Sequence, residues 1–274
     1  MIDDFMNRVY EGDCLEVLTK FPDKCIDMVL CDLPYEITEN KWDKCIDLPS
    51  LWYQYRRIIK PAGVIALTGQ GRFTGKLIES NPDWFKYKIV WIKSKATNFL
   101  NANKQPLRRH EDICIFYQQQ SIYNPQKIQA KPYDKGVRKD KGSGSYGKFN
   151  SSRSLNTDGK RFPTDVIAFE EESLTDWIFF KTAESEGVFH PVQKPVNLGR
   201  WLIQTYTVPG QIVLDNACGS GSFLVAAIME KRQFIGIEKN DHSYHFGRKV
   251  DYVAITNKRI RLAFQEMNSR LSFD

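Results

Sequence analysis

Hydrophobic and polar positions follow two different periods in the first part of the chain. Short continuous apolar runs are typical of buried strands, and apolar residues at helical spacing occur between them. Helices are indicated in residues 46–61, where Pro61 ends the pattern, and in residues 71–81. Strands separated by helices predict a layered α/β sheet. The predicted strands are residues 25–31, 63–69, 87–93 and 112–118.

The same pattern returns near the end of the chain. Residues 194–210 predict an amphipathic helix, with Pro195 near its first turn. Residues 211–230 predict a strand, a glycine-containing loop and a helix, and residues 233–240 predict a further strand that ends on Glu238. The tail, residues 241–271, has a helical pattern with basic residues. Both ends of the chain are therefore expected to contribute to α/β architecture.

Residues 119–188 differ in composition from the rest of the chain. They are rich in Gly, Ser, Lys, Arg and Tyr and show little hydrophobic periodicity. This composition is typical of a surface linker. It is also typical of a nucleic-acid contact region, in which basic side chains bind phosphates and tyrosines stack on bases. The candidates for phosphate contacts are Lys135, Arg138, Lys139 and Lys141.

Composition narrows the class of protein. A chain of 274 residues can form one large domain with an inserted or appended lobe. The formal net charge of +6 is compatible with a polyanionic partner. The sequence has neither a signal-peptide pattern at its start nor the ~20-residue apolar run of a membrane span, which predicts a cytoplasmic protein. The six cysteines form no C-x-x-C pair, so we expect buried, reduced thiols and no metal site.

The first predicted strand leads into the sequence DLPY, residues 32–35. A strand cap followed by a turn would account for Asp32, Pro34 and Tyr35 individually. The alternative is a chemical site in which a carboxylate and an aromatic side chain are held together by a rigid backbone.

A second site is indicated in residues 213–223, where a strand enters a Gly-Ser-Gly turn. Gly219 and Gly221 allow the backbone to bend and to approach a ligand closely. Glu238 follows about 20 residues later, the spacing of an acid that binds ribose hydroxyls. Asp215 would repel a pyrophosphate, so the cationic S-adenosylmethionine (AdoMet) suits this site better than NAD. A tight structural turn with solvated acids is the alternative.

Several motifs together resemble one family. DLPY resembles the D-P-P-Y motif of amino-group DNA methyltransferases, and residues 215–223 resemble their AdoMet loop. The order, with DLPY first and the loop last, is similar to that of the β group of adenine-N6 and cytosine-N4 enzymes, which includes solitary phage and prophage enzymes.

The resemblance implies an α/β fold with a doubly wound, Rossmann-like AdoMet-dependent methyltransferase sheet that is circularly permuted. The expected parts are a catalytic half (residues 1–118), a mostly irregular inserted target-recognition region (119–188) and an AdoMet-binding half (189–274). Permutation would leave both sites at the carboxyl ends of the strands.

The resemblance also implies roles for single residues. Asp32 and the Leu33 carbonyl would accept hydrogen bonds from the target amine, Pro34 would restrict the backbone, and Tyr35 would stack on a base flipped out of the duplex. His110 and Glu111 match a common His-Glu pair, for which a strand-edge hydrogen bond is the simplest role. Cys14 could equally be a core residue. The expected cofactor-binding residues are Asp13, Cys14, Asp32, Lys194, Pro195, Asp215, Gly219, Ser220, Gly221 and Glu238.

The expected activity is site-specific methylation of the N6 amine of adenine in double-stranded DNA. Asp at the first motif position favours adenine, and cytosine-N4 methylation is the alternative within the class. A DNA-binding regulator without turnover and an RNA methyltransferase are the alternatives outside it; Asp32, Tyr35 and Asp215 argue against the regulator, and the motif order argues against the RNA enzyme. Residues 240–251 could hold an extra turn or a homodimer contact, and a cognate restriction enzyme is a candidate partner.

Overall fold

The computed structural model describes residues 1–36, 45–138, 152–167, 193–240, 244–245 and 248–271. The helices are α1 (Cys14–Leu18), α2 (Leu48–Ile58), α3 (Arg72–Ser80), α4 (Val196–Tyr206), α5 (Ser222–Met229) and α6 (Tyr252–Leu271). Short 3-10 helices lie at Ile2–Asp4 and Phe99–Asn101. No helix within the described ranges is both long enough and apolar enough to cross a membrane.

Fourteen strands are described, and eight of them form the main sheet. They are β1 (Arg8–Glu11), β2 (Ile26–Cys31), β3 (Ile59–Gly69), β4 (Phe85–Thr97), β5 (Arg108–Phe116), β6 (Ile128–Gln129), β7 (Tyr133–Arg138), β8 (Ser152–Asn156), β9 (Lys160–Arg161), β10 (Val166–Ile167), β11 (Ile212–Asp215), β12 (Gln233–Glu238), β13 (Tyr244–His245) and β14 (Arg248–Lys249).

The main sheet combines strands from the two ends of the chain, and its order is β1-β12-β11-β2-β3-β5-β4-β10. β5 runs antiparallel to both of its neighbours, and the other pairs are parallel. The late strands β11 and β12 lie between the early strands β1 and β2. The two halves of the chain therefore complete one sheet, as the permuted arrangement predicts.

Helices cover both faces of this sheet, which explains why β2 is buried along its whole length. Met28 and Leu30 pack on one face with residues of α4, α5 and α6. Val29 and Cys31 pack on the other face with residues of α1, α2 and α3. Each fully buried aliphatic side chain contributes about 1.5–3 kcal/mol relative to exposure. The predicted doubly wound α/β fold is confirmed.

Five of the six cysteines are buried in these cores, as expected of core thiols. Burial raises the pKa of Cys14 and Cys25 to about 11 and that of Cys114 to about 12. The thiols of these residues are therefore protonated at neutral pH and pack as small apolar groups.

The tail differs from its prediction. β13 and β14 pair antiparallel where a helix was expected, and α6 begins only at Tyr252. The reason lies in the capping groups. Asn240 accepts a hydrogen bond from the Tyr252 N–H at 3.0 Å, and Asp251 accepts one from the Ala254 N–H at 2.9 Å. These two side chains fix the first turn of α6 and so set its start.

The inserted region is more ordered than predicted in its described part. β6 pairs with β9 and β7 pairs with β8, each antiparallel. β10 joins the main sheet beside β4, where Val166 is opposite Val90. Part of residues 119–188 is thus an edge of the sheet that carries the candidate site.

Candidate active site

Three carboxylates lie at the carboxyl edge of the sheet. Asp32 follows β2, Asp215 ends β11 and Glu238 ends β12. Because these strands are parallel neighbours, their ends meet at one edge, and Asp215 is opposite Gly236 of β12. Two predicted sites, separated by about 180 residues in the sequence, therefore form one surface.

The Asp32 carboxylate is held by side chains from three segments. Oδ1 accepts a hydrogen bond from the Thr68 hydroxyl at the end of β3. The Tyr35 hydroxyl lies 2.7 Å from the same oxygen and 2.8 Å from Thr68 Oγ1, so its single proton goes to one of them. Oδ2 accepts from Lys194 Nζ at 2.6 Å. A carboxylate offers about four lone-pair sites, so at least one acceptor position remains for a substrate.

Lys194 links Asp32 to a second carboxylate. Its Nζ lies 3.2 Å from Glu111 Oε2, and Glu111 Oε1 accepts a hydrogen bond from Lys93 Nζ at 3.0 Å. The side chains of Lys194, Glu111 and Lys93 are each no more than 11% exposed. Burial alone would lower the pKa of Lys194, but Asp32 and Glu111 outweigh it and raise that pKa above its usual value. The site thus contains a buried chain of alternating charges.

Tyr35 presents its hydroxyl to Asp32 and its ring to other side chains. The ring stacks on Phe73 with centroids 4.9 Å apart, and Lys194 Nζ lies over it at 5.5 Å from the centroid. Burial raises the pKa of Tyr35 well above its usual value, so the hydroxyl keeps its proton. Leu33 is 2% exposed. Among the described residues, none donates a hydrogen bond to the Leu33 carbonyl.

The Gly-Ser-Gly loop depends on glycine for its shape. Gly219 and Gly221 have φ angles of 50° and 77°, in the left-handed region. A Cβ on Gly221 would lie 2.5 Å from Thr256 Cγ2 of α6. The Gly219 N–H donates to Glu238 Oε2 at 2.7 Å, so the loop and the end of β12 are joined directly.

Helix α6 supports this loop from behind. Thr256 donates to the Gly219 carbonyl at 2.7 Å. The buried Arg259 donates from Nη1 to the Ser220 carbonyl at 2.6 Å and lies 3.1 Å from both the Ser220 and Ser222 hydroxyls. The protein's own hydrogen bonds therefore fix the geometry of the loop.

Asp215 is the most deeply buried of the three carboxylates, at 3% exposure. Burial raises the pKa of Asp215 to about 8, with further increases from Asp32 and Glu238 and opposing hydrogen bonds from Cys31 and the Ala217 N–H. Burial also raises the pKa of Glu238, against hydrogen bonds from two backbone N–H groups. Because mutual proximity and burial disfavour the ionised forms of these acids, a cationic ligand that stabilises those forms would suit the site.

The remaining predicted cofactor residues lie around this edge. Asp13 caps α1 through the Leu15 N–H at 3.0 Å and also contacts Lys239 Nζ at 3.2 Å. Cys14 is buried behind it. Pro195 precedes α4 as its N-cap residue, directly after Lys194. The structure thus brings all the predicted catalytic and cofactor residues to one edge of the sheet.

The predicted phosphate contacts are only partly within the described residues. Lys135 lies on β7, where its Nζ is 4.9 Å from the Tyr133 ring centroid. Arg138 is the last residue of β7, and Lys139 and Lys141 lie outside the described residues.

Sequence reasoning missed the side chains that support the two motifs. Thr68, Thr256 and Arg259 carry no recognisable motif, and Glu111 had no role beyond a strand-edge hydrogen bond. Only the position of Thr68 at the end of a predicted strand could have identified it.

Most of this chain matches a known protein family. The family model N6_N4_Mtase, described as DNA methylase, matches residues 26–248. The type II methyltransferase M.BglII of Bacillus subtilis is 27% identical over 259 residues, which are 85% of this chain and 65% of that protein. The match therefore spans slightly less than two thirds of the length of that relative.

Solved structures share the fold. The crystal structure of the M1.HpyAVI–SAM complex matches with a TM-score of 0.58 and 19% identity, over 92% of this chain and 98% of that one. The cytosine-N4-specific PvuII DNA methyltransferase matches with a TM-score of 0.57 and 15% identity, over 97% and 93% of the two chains. At such low identity, these two matches establish the fold alone.

Proposed function

The chain belongs to the N6_N4_Mtase family of DNA methylases, and we propose that it is a site-specific DNA methyltransferase that transfers the methyl group of AdoMet to the N6 amine of adenine. The observation that carries the proposal is the position of Asp32. Its carboxylate lies at the same sheet edge as the Gly-Ser-Gly loop, Asp215 and Glu238. A nucleophile and a cationic methyl donor could therefore meet there.

The chain's own residues would activate the target amine by hydrogen bonding. An exocyclic amine is a poor nucleophile because its lone pair is delocalised into the ring. The remaining acceptor position on Asp32 and the Leu33 carbonyl would accept hydrogen bonds from the two N–H groups of the amine. These hydrogen bonds would make its lone pair available for methyl transfer. Thr68, Tyr35 and Lys194 hold the carboxylate in place, so the geometry is preorganised.

The residues of the second site fit AdoMet. AdoMet supplies a methyl group that its sulfonium centre already activates. The acids Asp215 and Glu238 suit its positive charge and its ribose hydroxyls, and Gly219 and Gly221 leave space along the loop. Asp13, Cys14 and Pro195 would complete the cofactor pocket. These assignments are supported by the shared edge and by the match to the family.

A pH dependence of cofactor binding follows from Asp215. Its pKa of about 8 means that most of the free protein carries a proton on this group at pH 7. A cationic cofactor would favour the ionised form, so binding should release a proton. We expect AdoMet affinity to rise by up to about tenfold per pH unit below pH 8 and to level off above it. Isothermal titration calorimetry between pH 6.5 and 9 would measure this.

Asp215→Asn is the matched comparison for this measurement. The α-amino group of AdoMet itself titrates near pH 8, but its contribution is common to both proteins. The wild type should therefore show the steeper dependence, and calorimetry in buffers with different ionisation enthalpies should show the larger proton release. If AdoMet affinity depends equally on pH in both proteins, Asp215 does not take part in cofactor binding.

The inserted region, residues 119–188, is proposed to contact DNA and to carry target recognition. Lys135, Arg138, Lys139 and Lys141 are its candidate phosphate contacts, and a net charge of +6 supports a polyanionic partner. A cognate restriction enzyme would fit the type II relative, and a homodimer is a further proposal.

Incubation of the protein with unmodified genomic DNA and labelled AdoMet, followed by nucleoside mass spectrometry, tests the function. N6-methyladenine is the expected product. N4-methylcytosine would show that cytosine rather than adenine is the target. A cytosine-N4-specific enzyme shares this fold, so the fold does not distinguish the two bases. AdoMet binding without any methylated nucleoside would indicate RNA substrates or a binding role.

A further inference from the structure

Two large apolar side chains are exposed next to each other between β4 and β5. Phe99 and Leu100 begin a short 3-10 helix and are 75% and 83% exposed. Leu107, near the end of the same connection, is 44% exposed. Adjacent exposed apolar side chains form a contiguous patch, and contiguous apolar patches can mark interaction sites.

This connection begins and ends at the catalytic edge of the sheet. At its base, Arg108 pairs with Thr97, and Arg108 Nη1 lies 3.2 Å from Gln70 Oε1, two residues after Thr68. Three residues further along β5, Glu111 contacts Lys194, which contacts Asp32. Three residues of extended strand span about 10 Å, so the base of the connection lies near the site of methylation.

The turn is fixed by its own hydrogen bonds. Asn98 has a φ of 71°, in the left-handed region, and its carbonyl accepts from the Asn101 N–H at 3.0 Å. Asn101 Nδ2 also donates to Asn98 Oδ1 at 2.7 Å. Phe99 and Leu100 lie between these two asparagines, so the backbone that carries them is already ordered and adds little to the entropy cost of binding.

The surrounding charge identifies the partner. Residues 95–109 contain Lys95, Lys104, Arg108 and Arg109 and no acidic residue. Two copies of this surface would bring like charges together, whereas DNA phosphates would neutralise them. The combination of an apolar tip and a basic rim therefore favours duplex DNA over a second copy of the chain.

We propose that Phe99 and Leu100 insert into the duplex at the target and occupy the gap left by the flipped base. This inference rests on the proposed function. Flipping costs stacking and pairing energy, and apolar side chains inserted between base steps are one way in which proteins stabilise an opened duplex. The turn would thus favour the extrahelical base that Asp32 requires.

The test compares a paired with an unpaired target. The recognition site is first located by sequencing genomic DNA methylated by the wild type, and duplex oligonucleotides carrying it are then made with the target base either paired or opposite an abasic site. For the double variant F99A/L100A, we expect kcat/KM on the paired duplex to fall about 10- to 100-fold, because flipping becomes harder. Most of that loss should disappear on the abasic duplex.

Leu262→Ala is the matched control, because Leu262 is an exposed apolar residue on α6, 53% exposed. It should behave as the wild type on both duplexes. Three results for F99A/L100A would each contradict the insertion. These are an equal loss of kcat/KM on both duplexes, no loss of kcat/KM, and a lower oligomeric mass in solution than the wild type. Absence of methylation by the wild type would instead reject the proposed function.

Discussion

Replacing Asp32 with alanine is expected to abolish methyl transfer while leaving AdoMet binding nearly intact. The substitution removes the carboxylate that would accept a hydrogen bond from the target amine. We expect kcat to fall by about 10²- to 10³-fold or more, as when a preorganised electrostatic group is removed. The buried Lys194 keeps Glu111 as a partner, so the protein should remain folded. Single-turnover methylation and calorimetric titration with AdoMet measure the two effects separately.

Asp23→Ala provides the control for this change. Asp23 is an exposed acid that precedes β2, at the end of the strand opposite Asp32, and its Oδ1 accepts a hydrogen bond from Arg57 Nη1 at 2.8 Å. Because exposed ion pairs contribute little, its removal should leave both folding stability and methylation nearly unchanged. Asp32→Ala could instead weaken AdoMet binding and transfer methyl groups at nearly the wild-type rate when AdoMet is saturating. That result would contradict a catalytic role for Asp32.

Six of the eight strands of the main sheet were predictable from their apolar runs, whereas β1 and β10 were not predicted. Residues 25–31 and 63–69 are apolar enough to indicate buried strands, and the fold places them as β2 and β3. The start of α6 was not predictable, because it depends on capping by Asn240 and Asp251 rather than on periodicity. Strand β10 consists of two residues beside β4, which is too short for any sequence pattern.

Those parts of the candidate site were predictable in which the backbone conformation requires a particular residue type. Gly219 and Gly221 occupy left-handed conformations that favour glycine. By contrast, Thr68 and Arg259 reach the site from β3 and α6 through side-chain contacts between distant segments. The family motif placed Lys194 with the cofactor, but its contact with Asp32 joins residues 162 positions apart. Sequence spacing carries no information about such a pair.

Replacing Lys194 with methionine is expected to impair both stability and catalysis. The change leaves Asp32 and Glu111 without the cation between them, in a site that already contains Asp215 and Glu238. Removing one partner of a buried ion pair costs about 3–5 kcal/mol of unfolding free energy. Loss of the donor that orients Asp32 Oδ2 should lower kcat by about 10²-fold. Denaturant unfolding and single-turnover methylation at saturating AdoMet measure these effects.

Lys60→Met is the control for catalysis, since Lys60 of β3 is a second cation paired with an acid of β2, with its Nζ 2.8 Å from Asp27 Oδ1. Asp27 keeps hydrogen bonds from Gln211 Nε2 and the Ile212 N–H, and it lies at the opposite end of the strand from Asp32. Lys60→Met should therefore leave kcat unchanged. Lys194→Arg should recover part of the activity, because it restores a cation between the two carboxylates. If Lys194→Met instead weakens AdoMet binding and leaves kcat at saturation unchanged, Lys194 acts on the cofactor rather than on Asp32.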